Sequence, residues 1–215
     1  MHSFLRVAAL LTALTAFSGN AQAGGHIYLL RGLANVFSTG LDSLRDELEK
    51  RGYSATVHST GEAESLGLEA ARLQKSGKGP IIIIGHSIGA NSAISMAETM
   101  KDQGASVALI ITFGPTFDML VPSNVSRVIN YYQTGAIVSG TAKKGKGFHG
   151  SIANIDVSSA TDINHLNIEK IERLHAKVIA AVGPIAGRKP SNSADDANKT
   201  ARSLPSASVP QQKQN

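Results

Sequence analysis

Apolar residues along this chain switch between two spacings. Short runs that are continuous or alternate mark strands, and they are separated by longer stretches that repeat with the helical period and mark helices with one buried face. His26 to Leu30 reads as a short strand, and Leu41, Leu44 and Leu48 place a stripe on a helix ending near Arg51-Gly52. Tyr53 to His58 resumes an extended pattern, and Leu66, Leu68, Ala71 and Leu73 belong to a second helix closed by Ser76-Gly77-Lys78-Gly79. Ile81 to Ile84 is a third strand, followed by Ala90, Ala93, Ile94, Ala97 and Met100 at helical spacing. Ser106 to Phe113, Arg127 to Gln133 and Ser151 to Val157 are further strands, and a long last helix carries Ile168, Ile171, Leu174, Val178, Ile179 and Val182 on one side. Strands and helices in regular alternation predict an α/β three-layer sandwich, with a mostly parallel sheet covered on both faces and right-handed crossovers.

The two ends of the chain depart from this pattern. Met1 to Arg6 is positively charged, Val7 to Phe17 is apolar, and Ala21-Gln22-Ala23 offers the small residues of a cleavage site. Residues 1–23 therefore read as a secretory signal peptide, so the protein is expected to be exported, periplasmic or secreted. The apolar run is too short for a stable membrane span. Residues 24–183 form the one domain that a chain of 215 residues with 42% hydrophobic content can build. Residues 184–215 read as a tail, and from Pro190 on they are too polar to offset the entropy of ordering. Cysteine is absent, so disulfides and thiolate chemistry are excluded. The net charge of +5 is mild and partly local, with Lys143, Lys144 and Lys146 in a Gly-rich loop. Without interleaved aromatics it gives no reason to expect nucleic acid, whereas an anionic envelope surface is a compatible peripheral partner.

The chemistry is concentrated after the third strand. Four β-branched isoleucines behind Gly79-Pro80 favour a fully buried parallel strand, and the run ends abruptly in Gly85-His86-Ser87-Ile88-Gly89 before a helix begins. Such an order lifts Ser87 onto the apex of a tight turn backed by a helix N-terminus, the setting of a nucleophilic hydroxyl. The two glycines allow strand and helix to pass where a Cβ would collide. A dinucleotide-binding reading of Gly85, Gly89 and Ala90 fails, because these residues follow the wrong strand and lack the phosphate-binding spacing.

With this elbow, the stretch from Gly25 to Val182 resembles the α/β-hydrolase superfamily, in particular its small lipase and esterase branch. Leu30-Arg31-Gly32-Leu33 is similar to the His-Gly-aliphatic segment of lipases, with Arg31 where His is usual. The resemblance implies a minimal α/β-hydrolase fold without a cap domain. It implies an oxyanion hole from the backbone N–H groups of Ile88 and Leu33, which would stabilise charge developing on a carbonyl oxygen. The family order of serine, acid and histidine makes His165, in the loop between the last strand and last helix, the expected general base, ahead of His149 and His175. Asp118 is the expected acid, with Asp162, Asp156 or a Ser–His dyad as alternatives, since Gly114 occupies the place after its strand where an acid is most natural. The glycine-rich segment from Gly135 to Gly150, with Val138 and Phe148, is the part long enough to fold over the site.

These readings predict a serine esterase acting on carboxylic, lipid or thioesters through an acyl-enzyme, with no cofactor and no metal. The rival expectation is a noncatalytic binding or envelope-scaffold protein that kept the elbow and lost the acid.

Overall fold

In the computed structural model, which describes residues 24–33 and 39–187, the alternating pattern becomes β1 (His26–Leu30), α1 (Gly40–Lys50), β2 (Ser54–His58), α2 (Ala63–Lys75), β3 (Ile81–His86), α3 (Ile88–Asp102), β4 (Leu109–Phe113), β5 (Met119–Val121), β6 (Arg127–Tyr132), β7 (Ala142–Lys144), β8 (Ser151–Asp156) and α4 (Glu172–Ala186). Short 3₁₀ turns lie at Thr60–Glu62 and Ile168–Lys170. Six strands make one sheet in the order β2-β1-β3-β4-β6-β8. Every pairing in it is parallel, with Leu29 beside Ile84, Ile84 beside Ile111 and Ile111 beside Ile129.

The isoleucine run shows why the sheet must be covered on both sides. Successive strand residues point to opposite faces. Ile81 and Ile83 accordingly join Leu66, Ala70, Ala93 and Met96 under α2 and α3, while Ile82 and Ile84 join Leu41, Leu44, Leu174 and Val178 under α1 and α4. All four isoleucines are fully buried. Each such burial contributes about 1.5–3 kcal/mol as an upper bound.

Several elements differ from the sequence expectation. On α2 the buried stripe is Ala63, Leu66, Gly67, Ala70 and Ala71, and Leu68 and Leu73 are only half-buried. Small residues win this face because α2 packs close to α3, where a Cβ on Gly67 would stand 2.7 Å from Thr99 Cβ and 2.9 Å from the Met96 carbonyl oxygen. Ile168 lies in the 3₁₀ turn, and the last helix starts only at Glu172 and continues to Ala186, past the expected domain limit at 183. The segment from Gly135 to Gly150 is not a free flap: β7 within it pairs in parallel with β5, and Phe148 is buried in the core on the α2 and α3 side. Residues 1–23, read as a signal peptide, and the tail beyond Gly187 lie outside the described residues. Among the described residues no helix is long and apolar enough to cross a membrane.

Candidate active site

Strand order places the site. The chain leaves β1 for β2 on one side and returns to β3 on the other, and a crevice opens at the carboxyl ends of the strands where the winding reverses. Leu33 follows β1 there and Ser87 follows β3.

Ser87 has φ 57° and ψ −127°, and it is the one non-glycine residue with positive φ among the described residues. That conformation costs on the order of 1–3 kcal/mol and persists only where its surroundings enforce it. The enforcement is visible. A Cβ on Gly85 would lie 2.4 Å from the Gly89 carbonyl oxygen, and one on Gly89 would lie 2.2 Å from the Leu30 carbonyl oxygen. The Ser87 N–H donates to the Phe113 carbonyl at 2.9 Å, which ties the elbow to the end of β4. Helix α3 begins at Ile88, so the Ile88 N–H belongs to the first turn, where amides lack intrahelical acceptors.

His165 reaches the serine from the loop after β8. Its Nε2 is 3.0 Å from Ser87 Oγ, the distance at which the hydroxyl donates to a neutral imidazole. Burial holds its pKa below the usual histidine value, which favours that neutral form. The loop is fixed by its own side chains: Asn164 Oδ1 accepts from the Leu166 N–H at 2.9 Å, Asn167 Oδ1 accepts from the Asn164 N–H at 2.7 Å, and Asn167 Nδ2 donates to the Asp162 carbonyl at 3.0 Å. Gln133, just past β6, donates to the Ile163 carbonyl at 2.9 Å.

The acid is where sequence and structure part. Asp118 does not serve His165: its exposed carboxylate accepts from the Thr141 N–H at 2.8 Å and hydroxyl at 2.9 Å and pairs with Lys143, bonds that hold its pKa down at about 2. They knit β5 to β7, and that pairing fixes the carboxylate away from the imidazole. Asp156 caps the turn at Thr134 and Ser158, and Asp162 makes a two-pronged pair with Arg173 at 2.6 and 2.7 Å. His165 Nδ1 is buried with no hydrogen-bond partner. Gly114 stands directly against it, for a Cβ there would lie 3.0 Å from Nδ1.

Leu33, Ser87, Ile88, Thr116, Phe117, Val138 and His165 line a cleft of about 300 Å³ whose walls are mainly apolar. Phe117 and Leu33 are largely exposed at its rim. One wall is set by Asn91 of α3, which accepts from the Thr116 N–H at 2.9 Å and donates to the Phe117 carbonyl at 3.0 Å. Arg31, in the segment just after β1, pairs with Asp42 of α1. His149 and His175 lie elsewhere; His175 is buried between the Glu169 carbonyl and the Glu47 carboxylate. Among the described residues no group of three or more His, Asp or Glu is placed to hold a metal ion.

Two residues with no assigned part in the sequence reading adjoin this site. His86 is buried and donates from Nε2 to the His165 carbonyl at 2.9 Å, and the buried Glu169 carboxylate lies 3.8 Å from the same nitrogen. The acid four positions after His165 is visible in the sequence, but nothing local marks it as buried.

No protein-family model matches the sequence, and no curated protein matches it. Similar solved structures include one from the work on LipS and LipT, two metagenome-derived lipolytic enzymes (10% identity, 75% of this chain and 94% of that one, TM-score 0.46). The thioesterase domain SrfTE, which cyclizes the lipopeptide antibiotic surfactin, aligns at 14% identity over 74% of this chain and 91% of its own, with a TM-score of 0.46. Est1E from Butyrivibrio proteoclasticus aligns at 10% identity over 76% and 90%, with a TM-score of 0.44.

Proposed function

We propose that the chain is an exported serine hydrolase of the α/β-hydrolase type that cleaves carboxylic esters of apolar acyl groups. The observation that carries this reading is the 3.0 Å approach of Ser87 Oγ to His165 Nε2 at a strained elbow. Ser87 Oγ attacks the ester carbonyl carbon while its proton passes to Nε2. The Ile88 and Leu33 N–H groups receive the oxyanion, and collapse expels the alcohol or thiol, which takes the proton from His165. Water, deprotonated by the same imidazole, then releases the acid. The working pair is a dyad, because the buried Nδ1 faces Gly114 in place of a carboxylate. The apolar cleft favours an acyl chain over a peptide or sugar. Export rests on the pattern of residues 1–23.

The test is labelling by a fluorophosphonate probe together with turnover of short p-nitrophenyl esters, with Ser87→Ala as control. Labelling and turnover that both vanish in the variant are expected. A folded wild-type protein that does neither would sink the proposal in favour of the second reading, a noncatalytic binding or envelope-scaffold protein, which Gly114 and the unpartnered Nδ1 favour.

A further inference from the structure

Glu169 is the most heavily buried carboxylate among the described residues, and neither of its oxygens has a well-aligned hydrogen-bond partner, although the backbone amides of Gly40 and of Glu169 itself lie near enough to favour its charge. Buried polar groups without partners are rare and call for a reason. A carboxylate desolvated in this way is destabilising, so an apolar or amide side chain would suit the fold better. Its surroundings point to the site. His86 Nε2, whose N–H holds the His165 carbonyl at 2.9 Å, is 3.8 Å from Glu169 Oε2, and the His86 and His165 rings are 5.4 Å apart between centroids. Glu169 is held rigidly: His175 Nε2 of α4 donates to its carbonyl at 2.7 Å, and α1 is so close that a Cβ on Gly40 would meet that carbonyl at 2.3 Å.

We propose, building on the hydrolase reading, that Glu169 is a positioning residue: its negative charge, 3.8 Å from His86 Nε2, favours the ring orientation and tautomer that keep a proton on that nitrogen, whose N–H holds the His165 backbone and so keeps the imidazole on Ser87. In a triad a carboxylate orients the base by bonding Nδ1 directly. Here the carboxylate acts from behind the elbow, through the peptide of the base. The charged and titratable groups around it are His86 from β3, Lys170 from its own turn at 4.0 Å, and His175 from α4 with Glu47 of α1 behind it. Burial, the largest influence, pushes its pKa up to about 7 against the pull of nearby amides and of Lys170 and His175. The carboxylate therefore ionises across neutrality, and each rise in its charge improves the base.

The experiment compares wild type with Glu169→Gln by ester kinetics across pH and by ring ¹⁵N NMR of histidine-labelled protein. In wild type, kcat and the His86 and His165 ring signals should share a step near pH 7, the value about which Glu169 ionises. In E169Q that step should vanish from both, with kcat above neutrality about tenfold lower and KM unchanged, the pattern of an interaction made in the transition state. A purely structural Glu169 would leave the step in place whatever E169Q does to the melting temperature. Persistence of the step in E169Q, its absence from wild type, or an unchanged kcat overturns the proposal. Should E169Q not fold, Glu169→Leu, which fills the space without polar atoms, serves the same comparison. A wild type inert toward ester and probe removes the hydrolase reading alone, since the NMR step still decides whether Glu169 acts on His86 and His165.

Discussion

At the scale of single residues, Gly114 governs His165 more than any aspartate does. Its φ of 50°, and the 3.0 Å that would separate a Cβ added there from Nδ1, leave no room for a side chain without moving the imidazole. Under the proposed mechanism Gly114→Ala should therefore reduce kcat by about 10²-fold, because an imidazole displaced by a fraction of an ångström to an ångström loses its near-attack geometry on Ser87. Asp118→Ala, by contrast, removes an exposed pair with Lys143 and should change kcat by less than about twofold and stability by no more than about 1 kcal/mol. Steady-state ester kinetics on both variants check this, and a large loss in D118A would restore that aspartate to the mechanism. Ser87 is readable in sequence because its constraint is local: the isoleucine run and two glycines fix a turn by sterics alone. The approach of His165 to Ser87 at 3.0 Å is foreseeable from its place in the loop after the last strand. The fate of the acid is not, since whether Asp118 meets an imidazole or Lys143 depends on how β5 pairs with β7. Glu169 is hidden for the same reason, as its burial is made by α1 and the elbow rather than by its neighbours in sequence.

At the scale of elements, strands and long helices follow from periodicity, whereas β5 and β7 are three residues each and too short to show one. Periodicity also misplaces the buried face of α2, because it weights leucine above glycine and alanine, while close contact between helices selects the small residues. Close approach likewise makes the junction of β1, β3 and α3 brittle. A Cβ at Gly89 would stand 2.2 Å from the Leu30 carbonyl oxygen and 2.4 Å from that of Arg31, and backbone cannot rotate away as a side chain can. Gly89→Ala should cost about 3 kcal/mol or more, by forcing α3 off the end of β1. Gly61→Ala, in the 3₁₀ turn with nothing within 4 Å of its Cβ, should be neutral or stabilising by about 0.4–1 kcal/mol through the unfolded chain. Urea unfolding of the two variants separates these outcomes; equal midpoints would show that the elbow is not sterically locked.

At the scale of the whole molecule, two buried groups next to the elbow titrate with opposite effect on stability. Burial depresses His86 to about 4, so its folded pKa lies below the ordinary 6.5, and its contribution is present above 6.5 and lost as pH falls. Glu169 is raised from 4.5 to about 7, so its contribution is present below 4.5 and lost as pH rises through 7. Between about pH 4.5 and about pH 6.5 the two slopes oppose each other, and wild-type stability should be nearly flat. The exposed carboxylates Asp118, Asp156 and Asp162 add little, because solvent screens their pairs. Glu169→Gln removes one slope and leaves the other, so the variant should gain stability as pH rises through that window. A carboxyl carried from 4.5 to about 7 corresponds to about 3 kcal/mol, so E169Q should exceed wild type near pH 8 by on the order of 2–3 kcal/mol and approach it in acid. Urea unfolding at a series of pH values measures the difference directly. Parallel curves at every pH would mean that Glu169 ionises freely in the folded protein, which its complete burial between α1, the elbow and α4 argues against. A residue whose replacement strengthens the fold while weakening turnover is one kept for the site, and the two measurements together distinguish that case from ordinary packing.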